Sequence, residues 1–242
     1  MPGFAVASRL VRRLRRPDLL LLLAGALTPA GALAQSISPP IAEYQERARS
    51  SFQLTNGTLF PLNVVLEVRG FRVTEQGEVV DAPLDTSKVR VKLSAMSFRI
   101  PARGSYTIFY EATADTTPAW FNILSAMTGA RTESGLNVRI ILPHVVYLNQ
   151  KQALTRQDVA VRTVEYDSAG RKMRVQLENL SPRLGRVLQV SAGGEHGTSP
   201  PIAGFPLFPH SIRWAEVLWT DTLPPERLAV RFAKFTIDSV VH

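Results

Sequence analysis

The chain has 242 residues, 28 basic and 20 acidic side chains, a formal charge of +8, and no cysteine. Without cysteine there is neither a disulfide framework nor a thiol nucleophile, so stability must come from burial alone. The charges are scattered singly among apolar runs and lack the basic clusters with interleaved aromatics that a nucleic-acid groove wants, so a nucleic-acid partner is not expected.

The first 34 residues have the layout of a cleavable secretory signal. Arg9, Arg12, Arg13, Arg15 and Arg16 form a basic start, residues 19–27 an apolar core, and Ala32-Leu33-Ala34 a small-x-small cleavage site. Pro29 and Gly31 interrupt the apolar stretch, which is too short to span a bilayer comfortably, so no stable membrane insertion is expected after cleavage. Removing this leader takes away five arginines and one aspartate, leaving 23 basic against 19 acidic side chains. The remaining charge of +4 implies a mildly cationic, solvated surface.

The mature part is almost entirely β by pattern. Residues 50–73 give two alternating runs joined at Asn56-Gly57, a dipeptide favoured where φ must be positive. Val64, Leu66 and Val68 fall on one side, Glu67 and Arg69 on the other. A polar stretch at 74–88 breaks the pattern, strands resume over 89–100, and 101–105 is a turn before a strand at 106–110.

The run 119–124 (AWFNIL) and the run 136–148 (LNVRIILPHVVYL) then form a hairpin across the eleven residues 125–135, which end in the mostly small and polar stretch MTGARTESG. In the second run Leu136, Val138, Ile140 and Leu142 share one face and Asn137 and Arg139 the other, and the strand is expected to stop at Pro143. This makes residues 136–142 a candidate edge strand. Its apolar row is either packed inside its own domain or used to complete another protein's fold.

The polar segment 149–158 reads as a linker. Beyond it five strands are expected at 159–165, 173–177, 186–191, 213–219 and 228–237, with turns at Ser168-Ala169-Gly170, Gly193-Gly194 and Pro200-Pro201. The fold class is therefore all-β, two tandem immunoglobulin-like sandwiches at 35–148 and 159–242.

Chemistry motifs are missing from this pattern. His144, His196, His210 and His242 are far apart, with no metal-ligand spacing, and there is no Gly-x-Ser-x-Gly elbow. Neither catalytic residues nor a cofactor or metal is expected. The sequons at Asn56 and Asn179 read as turn chemistry rather than glycan sites, and Trp120, Trp214 and Trp219 as core anchors.

Several stretches together resemble the PapD-like periplasmic pilus-assembly chaperones. They are Ile37-Ser38-Pro39-Pro40, Phe52-Gln53-Leu54-Thr55-Asn56, Phe98 to Gly104, Trp120-Phe121-Asn122-Ile123, the long strand ending at Tyr147, and Gly204-Phe205-Pro206-Leu207-Phe208-Pro209, read as a turn. The resemblance implies a periplasmic protein that binds pilus or fimbrial subunits by donating a strand, for assembly at an outer-membrane usher. Leu136, Val138, Ile140 and Leu142 are then the donor row. It also implies a cationic anchor for the subunit's terminal carboxylate between the domains. This sequence lacks the family's first-strand arginine, so Arg139 or His144, with Arg47 helping, is the candidate replacement. The reading from another class is a two-domain interaction module that binds a cell-envelope partner through the same edge.

Overall fold

The computed structural model describes residues 35–131, 137–195, 197–221 and 223–241. The leader at 1–34, Leu136, His196 and His242 lie outside the described residues.

Ten strands build the first sandwich: β1 (Ser36–Ser38), β2 (Ile41–Gln45), β3 (Arg47–Thr55), β4 (Leu62–Val73), β5 (Val79–Ala82), β6 (Val89–Leu93), β7 (Ser97–Ile100), β8 (Ser105–Ala114), β9 (Ala119–Arg131) and β10 (Asn137–Asn149). One sheet has the order β1-β3-β8-β6, the other β2-β10-β9-β4-β5 with β7 also on β4. Their inner faces meet in a core that includes Phe52, Leu62, Ile108, Phe121, Ile123 and Val146. Strict alternation makes this possible: from Leu62 to Glu67 every second residue of β4 is buried and its neighbour exposed.

After a single 3-10 turn at Arg156–Asp158 come β11 (Val159–Asp167), β12 (Lys172–Asn179), β13 (Gly185–Gly194), β14 (Gly197–Thr198), β15 (Ile202–Leu207), β16 (Ile212–Leu218), β17 (Arg227–Phe232) and β18 (Thr236–Val240). They form a second sandwich, with β11-β12-β16 facing a sheet in which β13 is flanked by β15 and β17, and β17 by β18. Met173, Val175 and Leu177 of β12 pack with Val187, Val230 and Trp219 in its core.

The strands differ from the sequence expectation in several places. Asn56-Gly57 is not a hairpin turn, because β3 and β4 belong to different sheets and Gly57 is not among the positive-φ glycines. The polar stretch after β4 contains β5, whose bonds are to the end of β4. The run 228–237 is two strands folded back on each other. Gly204 to Leu207 lies within β15, and the turn follows it at His210, which has φ of 49°. A short, Pro-bearing edge strand lacks both the length and the alternation that mark a strand in sequence.

The two sequons share one structural device. Asn56 and Asn179 are both fully buried. The Asn56 side-chain oxygen accepts from the backbone N–H and hydroxyl of Thr58 (3.0 and 2.6 Å), while its amide donates to the carbonyls of Phe60 and Pro101 (2.8 and 2.9 Å). Asn179 repeats this: its oxygen accepts from the backbone N–H and hydroxyl of Ser181 (both 3.0 Å), and its amide donates to Arg183 and Phe208 carbonyls (2.6 and 3.0 Å). Each asparagine thus ends one strand and satisfies carbonyls of the segments that cross the sandwich.

Removing the second device strands several buried polar groups, each costing roughly 1–3 kcal/mol. Asn179→Ala is therefore expected to lower the unfolding free energy by about 3 kcal/mol or more, read from urea denaturation. A loss well under about 1 kcal/mol would show that the crossing segments hold without it.

Candidate functional site

β10 is treated differently along its two edges. One edge pairs with β9 along nearly its whole length. The other pairs with β2, in parallel, only from Val145 to Asn149. Residues 137–144 have no strand on that side among the described residues. The chain reaches this arrangement by a strap: β1 bonds to β3 in one sheet, then the backbone crosses at Pro39 and Pro40 and β2 joins β10 in the other. The strap closes half of the sandwich's open side and leaves the other half open.

The parity of β10 follows from one bond. The Val145 N–H donates to the Pro40 carbonyl at 2.9 Å, so odd-numbered residues direct their backbone groups toward the β2 edge. On the uncovered half these are the N–H and C=O of Arg139 and Ile141 and the C=O of Pro143. The strand does not stop at Pro143, as its sequence suggested, but runs on to Asn149. The N–H that proline lacks would have pointed to the open edge, so the ladder to β9 loses nothing. The register offset near Val138 is absorbed on β9, where Gly129 adopts φ of 100°.

Side chains alternate with the same parity. Val138, Ile140 and Leu142 face inward and pack against the first core, yet they stay only half-buried, whereas His144, Val146 and Leu148 beneath the strap are fully buried. The row is thus neither closed core nor free surface. Its outward neighbours Arg139 and Ile141 are exposed, Ile141 to 51%. With Val65, Leu124 and Ala126 they line a shallow depression on the outer face of the sheet.

This outer strip leads into a cleft of about 480 Å³ between the sandwiches, lined by Ile41, Phe71, Ile141, Val145, Tyr147 and Pro206 among others. Its floor is an aromatic hinge. Phe71, Tyr147, Leu184 and Phe208 form a small core of their own, with Trp120 packed against it. Trp120 donates its indole N–H to the Phe71 carbonyl at 2.8 Å and sits edge-on to Phe208, 4.7 Å between centroids.

Polar bonds reinforce the hinge. Arg186 donates to Glu43 at 2.5 Å with its guanidinium over the Tyr147 ring. Gln150 exchanges two bonds with the backbone of Leu184 (3.0 and 3.2 Å). The turn after β4 crosses over, and its Glu75 carbonyl accepts from the Trp214 N–H at 2.8 Å. Of the three tryptophans only Trp219 is a buried core residue. Trp120 serves the hinge, and Trp214 lies under the guanidinium of Arg174 on the surface of the second sandwich.

The sequence candidates for a cationic anchor fall elsewhere. Arg139 lies exposed near the far end of β10, and Arg47 is exposed on β3, in the other sheet. His144 points into the first core, stacked on Phe52 at 4.5 Å. Its Nδ1 lies 2.7 Å from the Pro39 carbonyl, which can only accept, so Nδ1 carries the proton. Its Nε2 therefore accepts from the Tyr110 hydroxyl (3.0 Å), which in turn accepts from Tyr44 (3.0 Å). This chain of bonds ties β2, β8, β10 and the strap together and leaves the imidazole neutral. Residues that do matter to the cleft, such as Tyr147, Phe208 and Arg213, come from both sandwiches, and their meeting has no local signal in the sequence.

Among the described residues no group of His, Asp or Glu side chains is placed to hold a metal ion, and no helix is long and apolar enough to cross a membrane.

No protein-family model matches the sequence, and no curated protein does. Solved structures do resemble it. A chain of the Salmonella enterica SafA pilin–SafB chaperone complex matches 86% of this chain and 96% of its own length at 13% identity, with a TM-score of 0.51. The YadV chaperone (14% identity, TM-score 0.49, 86% of this chain and 99% of that one) and the class 5 fimbriae chaperone CfaA (8%, 0.49, 86% and 98%) are similar over the same extent. The chain has the two-sandwich, immunoglobulin-like fold of the PapD-like fimbrial chaperones.

Burial disfavours the His144 imidazolium, which lowers its pKa below the ordinary 6.5 despite the bond to Pro39. Above about pH 6.5 neither folded nor unfolded chain takes a proton there. As pH falls below that value the unfolded chain gains a proton that the folded chain refuses, and stability drops by up to about 1.4 kcal/mol per pH unit. Urea midpoints between pH 6.5 and 5 are expected to fall for the wild type and to stay flatter for His144→Gln; parallel curves would remove His144 as the cause.

Proposed function

We propose that this protein is a periplasmic chaperone for fibre subunits, and that it works by lending the uncovered half of β10 to a subunit whose own sandwich lacks a strand. The observation that carries the reading is the pairing of an open backbone edge with a half-buried apolar row at the same residues. A subunit of that kind exposes an apolar groove and unpaired backbone groups, both of which drive aggregation. Residues 138–144 span about 24 Å, enough for a strand of ordinary length. Completing the burial of Val138, Ile140 and Leu142 contributes roughly 2–5 kcal/mol before association costs. Each new backbone bond at the open edge adds about 1 kcal/mol.

The likeness in fold to chaperones, one of them in a complex with a pilin, supports the same reading. Leu136 is the fourth member of the proposed row. The leader at 1–34 is the proposed export signal, and an outer-membrane usher the proposed acceptor of the loaded complex. The domain limits proposed are 35–148 and 159–242, with a linker between them.

Co-expression in a bacterial periplasm with a β-rich subunit from the same locus tests this. Ile140→Asp places a charge in the row, and Ile141→Pro removes an N–H only from the open edge. Soluble subunit is expected with the wild type and a loss of at least about tenfold with either variant, while circular dichroism shows both variants folded. Subunit that is equally soluble with all three proteins, or with none, moves the interaction-module reading ahead.

A further inference from the structure

The cleft of about 480 Å³ between the sandwiches falls within the range of small-molecule sites, roughly 300–1,000 Å³. Its wall takes Ile141, Val145 and Tyr147 from β10, Phe71 and Val73 from β4, and Pro206 from the second sandwich. The β10 members are odd-numbered and face outward. This wall is therefore built of side chains on a sheet face, in contrast to the backbone edge at 137–144.

One cation interrupts the wall. Arg213, on β16, has its Nε and Nη1 buried without a hydrogen-bond partner, and its guanidinium lies 5.2 Å from the centre of the Phe205 ring. Asp81 also lines the cleft, but it is exposed and forms no ion pair with Arg213. Gly77 of the crossing turn closes over the guanidinium, where any Cβ would collide with it, and its φ of 93° independently favours glycine. An arginine keeps its proton even when buried, so the fold surrounds this charge without supplying a counter-ion of its own. Asn122 Oδ1, 5% exposed as a residue and likewise without a partner, is an acceptor, so it calls for a hydroxyl or a water and not for the anion.

The two parts of the cleft select a ligand between them. The planar fork of Arg213 matches a carboxylate or phosphate head. The wall suits a tail without polar groups. A peptide laid on this face would bury an N–H and a C=O at every residue, with few wall groups to answer them, whereas an alkyl chain carries none.

We propose that the cleft is a binding site for a single-chain amphiphile with an anionic head, such as a free fatty acid. Arg213 takes the head group, and the outward side chains of β4 and β10 with Pro206 cover the alkyl tail. The bound molecule touches both sandwiches and so holds the angle between them. Nothing in this site uses the open edge or the inward row, so it stands apart from strand donation.

Isothermal titration calorimetry of the purified protein with octanoate, decanoate and 1-decanol, each below the concentration at which it forms micelles, tests the site. Decanoate is expected to bind saturably, one molecule per chain. Each CH2 added between octanoate and decanoate tightens binding about fourfold, and 1-decanol binds at least about tenfold more weakly than decanoate. Arg213→Gln brings decanoate down to the level of the alcohol and leaves the alcohol unchanged. Val79→Asp, at a wall position that is 60% exposed and outside the hinge, weakens decanoate by about tenfold or more. Ile140→Asp, which alters only the inward row, leaves decanoate binding intact.

No saturable binding of decanoate overturns the proposal. An affinity that does not rise from octanoate to decanoate reduces Arg213 to a site for any small anion and overturns it as well. Equal loss of acid and alcohol in Arg213→Gln makes Arg213 a part of the hinge only, and loss in Ile140→Asp moves the ligand to the open edge; either result sinks the site. A six-residue apolar peptide with blocked ends that binds as tightly as decanoate and is displaced by it overturns the choice of an alkyl chain over a peptide.

Discussion

The two-residue alternation of β10 is the constraint on which the rest depends. A strand that sends even side chains inward must send odd backbone groups to one edge, and here both consequences are used at once. Toward its C-terminal end the strap covers that edge, and the inward side chains become core: His144, Val146 and Leu148 are fully buried. Toward its N-terminal end the strap is absent, and Val138, Ile140 and Leu142 remain half-buried. One strand thus passes from structural to available without changing its pattern. The boundary is set by where the backbone crosses at Pro39 and Pro40, and the His144–Tyr110–Tyr44 chain of bonds holds that crossing in place.

The hinge is the second constraint and depends on the first. Tyr147 belongs to the outward set at the covered end of β10, so its ring leaves the first sandwich and meets Phe71 and Phe208. Shifting β10 by one residue would reverse these roles, placing Tyr147 in the core and leaving the hinge without its central ring. The angle between the sandwiches and the orientation of the half-buried apolar row are therefore set by a single register. Glu43 extends the linkage, because it sits on β2, paired opposite Tyr147, and bonds Arg186 of the second sandwich.

What was legible in the sequence was what repeats with period two. The all-β class, the two sandwiches, the apolar row and its chance of lying at an edge all follow from alternation and turn residues. Proline misled twice for one reason. A missing N–H ends a strand only if it faces a partner, and neither Pro143 nor Pro206 announces which way it faces. The same limit hid the direction of His144, since a polar residue beside a proline looks like a strand end until the strand is known to continue. Asn56-Gly57 suggested a hairpin because local preference cannot distinguish a turn within a sheet from a crossing between sheets. Arg213 was invisible as a cleft residue because Gly77 and Asn122, which line the same cleft, lie far from it in sequence and on the other sandwich.

An uncovered strand edge invites unwanted pairing, and the features of β10 limit it without closing it. Pro143 removes one donor from the open half, so a second copy of this strand cannot form an unbroken ladder there. Arg139 is exposed beside it, and two such strands brought together in antiparallel register would bring like charges close. The strap restricts the open run to residues before Val145, too short for an extended sheet between copies. A foreign strand with apolar residues at alternate positions meets none of these penalties and gains the half-buried row as well. On the proposed reading, selectivity at this edge comes from the side-chain pattern of the arriving chain, since the backbone groups offered to it are the same for every sequence.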